Sequence, residues 1–208
     1  MRTSVLAIAV ILSVSLAAAG SRGEKTARVL FDNSVVRVLS SGDAELGHEG
    51  AVIVFFGDAP GHHAGDAAWT SDAAGAWDKA GAQPAVIVVP KSFASTSIPA
   101  GQTASQPGQA TFTGMSFHTI FDNDRVAAIR ARMDVGATEA FHTHASDTVV
   151  VHLTGGSIED TADGVTKVNR WKKGDIEFES RGSSHSARNV GGAIEVVLVT
   201  LKPKAAAR

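Results

Sequence analysis

An all-β fold is predicted by three features of this sequence. Short runs rich in Val, Ile and Phe recur along it, clusters of Gly, Asp and Asn separate them, and no long window after the N-terminal apolar segment keeps helical periodicity. Candidate strands are Val35 to Leu39, Ala51 to Phe56, Ala85 to Val89, Val126 to Met133, Thr148 to Leu153 and Ile194 to Leu201.

In the stretch Ala127 to Val135 the alternation is clear, with Ile129, Ala131, Met133 and Val135 on one face and Arg130, Arg132 and Asp134 on the other. The apolar face is expected in the core. Asp163-Gly164 between two alternating runs signals a tight hairpin. The segment Leu30-Phe31-Asp32-Asn33, followed by Val35-Val36-Arg37, is echoed by Ile120-Phe121-Asp122-Asn123 followed by Val126. This echo points to two related β modules, residues 20–112 and 113–208. The other organisation open to the sequence is one barrel with an irregular N-terminal extension. Gly57 to Gly81, rich in Gly, Ala and Asp, reads as a surface loop, and Ser95 to Gly108 reads as a linker or edge segment.

Residues 1–19 carry the marks of a cleavable secretory signal: Arg2, the apolar run Val5 to Leu16, and the small residues Ala17-Ala18-Ala19. The run is shorter than the roughly 20 residues a bilayer-spanning helix needs. A mature, exported chain beginning near Gly20, periplasmic or secreted and free of the membrane, is the expectation. With no cysteine in 208 residues, disulfides, thiolate ligands and thiol nucleophiles are excluded. A formal net charge of -2, with mixed signs along the chain, gives no nucleic-acid footprint and favours a small-molecule partner.

The chemistry concentrates in the histidines. His142 and His144, one residue apart, project from the same face of a strand about 6.5 to 7 Å apart, a spacing at which two imidazoles can grip one ion. His185 follows the turn Ser180-Arg181-Gly182-Ser183-Ser184 and can return opposite the pair. Three neutral imidazoles without a fourth fixed ligand describe an open metal site. One divalent metal ion per chain is the expectation, and imidazole donors alone do not choose among Fe, Mn, Zn, Ni and Cu.

These residues resemble the two signature motifs of the cupin superfamily. Gly136, His142, His144 and Gly155 match the first motif, and Gly174, Gly182, His185 and Asn189 match the second at the family spacing, with Ser180 in place of its proline. The resemblance spans Phe121 to Lys202 and implies a cupin-type barrel, a double-stranded β-helix or jelly roll, with His142, His144 and His185 as metal ligands. It also implies a possible pairing of two chains through their sheets. The glutamate that often completes the family's site is missing: Thr148 or Val149 stands in its place, and Asp147 is the nearest carboxylate. Two functions follow, a metal-dependent oxygenase-like or isomerase-like enzyme, and a non-catalytic exported protein that binds a metal or small ligand.

The remaining candidates have plainer readings. His152 is expected to be a satisfied core histidine, His62-His63 an exposed loop pair, and Arg130 and Arg132 solvated unless they hold an anionic substrate. Trp69 and Trp77 would pack in a small hairpin or stack on a sugar. Metal affinity is expected to fall as pH drops through the free histidine value of about 6.5.

Overall fold

Strand-rich sequence gives strand-rich structure here, in two antiparallel sheets packed face to face. The computed structural model describes residues 28–40, 49–73, 76, 80, 84–91 and 110–202. The expected signal segment, Ser95 to Gly108 and Trp77 lie outside the described residues. The first sheet comprises Val29–Asp32 (β1), Val36–Ser40 (β2), Ala51–Phe55 (β3), Ala67–Thr70 (β4) and Ala85–Pro90 (β5), in the order β1-β2-β5-β3-β4. The strand β4 falls inside the stretch read from sequence as a loop. Its Ala-Ala-Trp-Thr sequence has little β-branched character, and its pairing with β3 supplies what local propensity does not.

The second sheet comprises Phe112–Asp122 (β6), Val126–Thr143 (β7), Thr148–His152 (β8), Gly156–Ala162 (β9), Val165–Trp171 (β10), Ile176–Glu179 (β11), Ser184–Asn189 (β12) and Ile194–Leu201 (β13). The long strand β7 organises it. Residues 126–133 of β7 pair with β13, which leads on to β8 and β11, whereas residues 138–143 pair with β12, which leads on to β9 and β10. The change of partner falls at a corner where Gly136 has φ +76° and Gly114, on the neighbouring β6, has φ +70°. A Cβ on Gly114 would lie 3.0 Å from that of Ala137, so two glycines let both strands turn together. The two arms therefore curl over one another and enclose a cavity, giving an open-ended barrel. Asn189 braces the corner: its buried amide donates to the carbonyls of Met133, Asp134 and Gly192, and its Oδ1 accepts from Gly191 N–H.

The hairpin expected at Asp163-Gly164 is a two-residue turn between Ala162 and Val165, with φ of 51° and 76°. The sequence echo also has a structural counterpart. Asn33 Oδ1 accepts from the N–H groups of Val35 and Val36 between β1 and β2, and Asn123 Oδ1 accepts from those of Arg125 and Val126 between β6 and β7. Asp32 pairs with Lys91 just after β5, and Asp122 pairs with Lys202 just after β13. The order β1-β2-β5-β3-β4 is repeated by β6-β7-β13-β8-β11.

One apolar cluster joins the two sheets: Val36, Val38, Val52, Val54 and Val88 meet Val126, Val149, Val151, Val197, Val199 and Leu201. The opposite face of the first sheet is filled by Ala73, Ala76 and Ala80 over Ile53, Phe55 and Ile87. In β7 the expected inward face does bury Ala131 and Met133, but Val135, at the corner, is 70% exposed. Its other face begins apolar, since Val126 and Ala128 are sealed by the first sheet, and Arg130, Arg132 and Asp134 emerge beyond it, with both arginines paired to Glu195. Because one core serves both sheets, thermal unfolding is expected as a single transition. Leu201→Ala should lower its stability by about 2–5 kcal/mol; two separate transitions in calorimetry would contradict the shared core.

Candidate metal centre

The second half of β7, its continuation to His144, and β12 bring His142, His144 and His185 together. His185 lies directly across the ladder from His142, and the ring centroids of the three imidazoles stand 4.8 to 4.9 Å from one another. One ligand atom from each lies within 4.8 Å of the others, with His144 Nε2 and His185 Nε2 only 3.1 Å apart. Between His185 and Ala187 the register slips, so that Ala140 and Phe141 oppose the single residue Ser186. This bulge changes which residues of β7 point inward and puts Glu139 on the same side as His142.

Each ring is held from behind. His142 Nδ1–H donates to Ala140 O at 2.9 Å, His185 Nδ1–H donates to Asp160 Oδ1 at 2.8 Å, and His144 Nδ1 faces Glu179 Oε2 at 3.4 Å. Anchoring Nδ1 fixes the rotation of an imidazole and leaves Nε2 as the coordinating atom. Two nitrogens bound to one ion at about 2.0–2.1 Å sit roughly 3 Å apart, which the His144–His185 separation meets.

Electrostatics fit the same use. Burial pushes His144 down to about 3, aided by the neighbouring His185 and His142 rings, and it lowers His142 against the opposing pull of the Ala140 carbonyl. Burial acts in the same direction at His185, but the Asp160 hydrogen bond and the charges of Glu139 and Glu179 outweigh it and raise this ring to about 9. Burial raises Glu139, and burial with the adjacent Glu177 raises Glu179 well above the carboxylate range. One imidazolium is thus set among Glu139, Asp160, Glu177 and Glu179. A dication would replace its proton and meet the carboxylates' need for a countercharge.

Asp147, the carboxylate singled out from sequence, is elsewhere. Its Oδ1 accepts from Arg181 N–H and its carbonyl from Leu201 N–H, so it fastens the turn before β12 to the end of β13. Val149 points into the shared core, and Thr148 faces the cavity with its hydroxyl 3.2 Å from that of Thr200. Sequence reasoning missed the four carboxylates that do line the site. Two were legible: in Ile176-Glu177-Phe178-Glu179 the apolar pair joins the core, which sends both glutamates inward. Glu139 was not, because the bulge changes its side. His152 also departs from expectation. It is 1% exposed and stacked on Trp171 at 4.5 Å, yet neither ring nitrogen has a hydrogen-bond partner among the described residues. His62 stacks on Phe55, His63 is exposed, and Trp69 packs against the shared core.

The cavity beside the histidines has a volume of about 260 Å³. Its walls are Met133, Val150, Ile158, Val196 and Leu198, and its floor is His152 and Trp171.

No protein-family model and no curated protein matches the sequence. Solved structures are similar to parts of it. A cupin domain from Bordetella pertussis is 23% identical, with 43% of this chain and 94% of that one covered and a TM-score of 0.40. An RmlC-like cupin from Shewanella frigidimarina is 22% identical, covering 55% of this chain and 97% of that one, with a TM-score of 0.36. The polyketide cyclase RemF from Streptomyces resistomycificus is 15% identical, covering 53% and 82%, with a TM-score of 0.40.

Asp160→Asn removes the negative charge that favours protonated His185 and leaves only a neutral amide oxygen to accept from its Nδ1–H. Nuclear magnetic resonance titration of the metal-free protein should then show His185 losing its proton at lower pH than the value of about 9 in the unaltered chain. An unchanged midpoint would contradict the assignment.

Proposed function

We propose that this chain is a cupin-type protein that holds one divalent metal ion on His142, His144 and His185 and presents it to a small molecule in the adjoining cavity, acting as a metal-dependent enzyme. The observation that carries this reading is the convergence of three imidazoles, two of them with Nδ1 tied back by a hydrogen bond and the third with Nδ1 facing Glu179. Such an ion supplies Lewis-acid or oxygen-activating chemistry when bound. Around it, the chain's own groups have separable tasks. Glu139 Oε2, 3.5 Å from His185 Nε2, is placed to join the coordination or to take a proton from a ligand at the centre. This supplies the base that the motif lacks at Thr148. Asp160 and Glu179 orient His185 and His144, and the apolar walls exclude water from the bound molecule. Imidazole donors alone leave Fe, Mn, Zn, Ni and Cu as the choices.

Residues 20–112 and 113–208 are read as two related modules, in which the first has given up the site. The shared strand order and the paired Asn hairpins support this, and Ala73, Ala76 and Ala80 fill the face of the first sheet turned away from the shared core.

The test is elemental analysis and calorimetric metal titration. His144→Ala and His185→Ala should each lose the ion at ordinary metal concentrations, with Asp147→Asn retaining it. Since His185 must shed its proton to coordinate, affinity should rise about tenfold per pH unit from neutrality to about 9 and level off above it, higher than the sequence expectation near 6.5. Retention of one ion by both histidine variants, or affinity that is flat from pH 7 to 9, would refute the assignment.

A further inference from the structure

The strand β8 runs from the metal end of the cavity to its floor. Thr148, at the level of the histidines, pairs with Thr200 and Glu179; Val150 pairs with Leu198 and Glu177; and His152 pairs with Val196. At about 3.3 Å per residue, His152 lies roughly 13 Å beyond Thr148. It cannot share the ion. Burying an imidazole with both nitrogens unpartnered is costly, and a core position that serves packing alone favours an apolar ring. Yet His152 is 1% exposed, lines the cavity, stacks on Trp171 with the planes 16° apart, and has Glu177 Oε2 3.9 Å from its Nε2.

The surroundings define what it can receive. Among the described residues the cavity is lined by four carboxylates and by no lysine or arginine, so an anionic group is compensated only at the metal end. A neutral imidazole offers one donor and one acceptor, and Glu177 offers an acceptor. We propose that the floor of the cavity is a recognition subsite in which His152, backed by Glu177 and stacked on Trp171, hydrogen-bonds the hydroxyl or amino end of an elongated small molecule. The molecule's middle lies along Val150, Val196 and Leu198, and its other end reaches the ion. This inference rests on the reading of the cavity as a small-molecule site.

Four probes with a common carboxylate for the metal end separate the possibilities: 6-hydroxyhexanoate, 6-aminohexanoate, hexanoate and adipate. In calorimetric titrations of the zinc-loaded full chain, the hydroxyl and amino probes should bind at least tenfold tighter than hexanoate or adipate. His152→Phe keeps the ring stacked on Trp171 and removes both nitrogens. It should retain zinc, melt no lower than the unaltered protein, and reverse the order so that hexanoate binds at least as well as 6-hydroxyhexanoate. A measurement without metal keeps this inference apart from the metal assignment: 1,6-hexanediol added to the metal-free protein should shift the His152 ring resonances. Equal binding of all four probes by zinc-loaded protein, or a His152→Phe variant that melts lower and leaves the probe preferences intact, would overturn the subsite.

Discussion

The pairing of His185 with His142 across β7 and β12 is the contact on which the site depends. It exists only because β7 spends its first half on β13 and its second half on β12, turning between them where Gly114 and Gly136 take left-handed conformations. Asn189 then ties the end of β12 to the corner through three carbonyls. The bulge at Ala140-Phe141 completes the arrangement by turning Glu139 inward beside the rings. Slip this ladder by one residue and His185 faces solvent, the two arms lose their closure, and the cavity opens.

A buried polar centre needs a rigid, apolar support, and the first sheet provides it. Val197 and Val199 face Val52, Val54 and Val88, whereas Val196 and Leu198 of the same strand face the cavity. One strand thus contributes to two interiors, an apolar core on one side and the cavity beside the histidines on the other. The first sheet repeats the strand order of the second but has its far face filled with alanines. The same layout therefore serves packing in one half and encloses the histidine-lined cavity in the other.

Much of this was legible in the residues. The His-x-His pair, the third histidine and Gly136 of the corner are spaced along the chain in a way that points to the barrel and its candidate ligands; Gly114, the corner's other glycine, was not singled out. The Asn33 and Asn123 echo encodes two equivalent hairpin turns. What escaped were features created by tertiary pairing. Glu139 is turned by a bulge that no local sequence signal marks. Asp160 reaches His185 from a neighbouring strand, and Asp147, which looked close in sequence, is engaged by Arg181 N–H. Val126 and Ala128 continue the face on which Arg130 and Arg132 were expected in solvent, and a second sheet covers them together with Val197 and Val199. The shift of His185 to about 9 follows from carboxylates brought in by β7, β9 and β11.

The central claim, three imidazoles converging through Nε2 on one ion, is met most directly by X-ray absorption at the zinc edge of the zinc-loaded full chain. The account predicts a coordination shell with three nitrogen scatterers at about 2.0–2.1 Å and the outer-shell pattern of imidazole rings. A shell fitted by oxygen alone, or one showing a single imidazole, would contradict it.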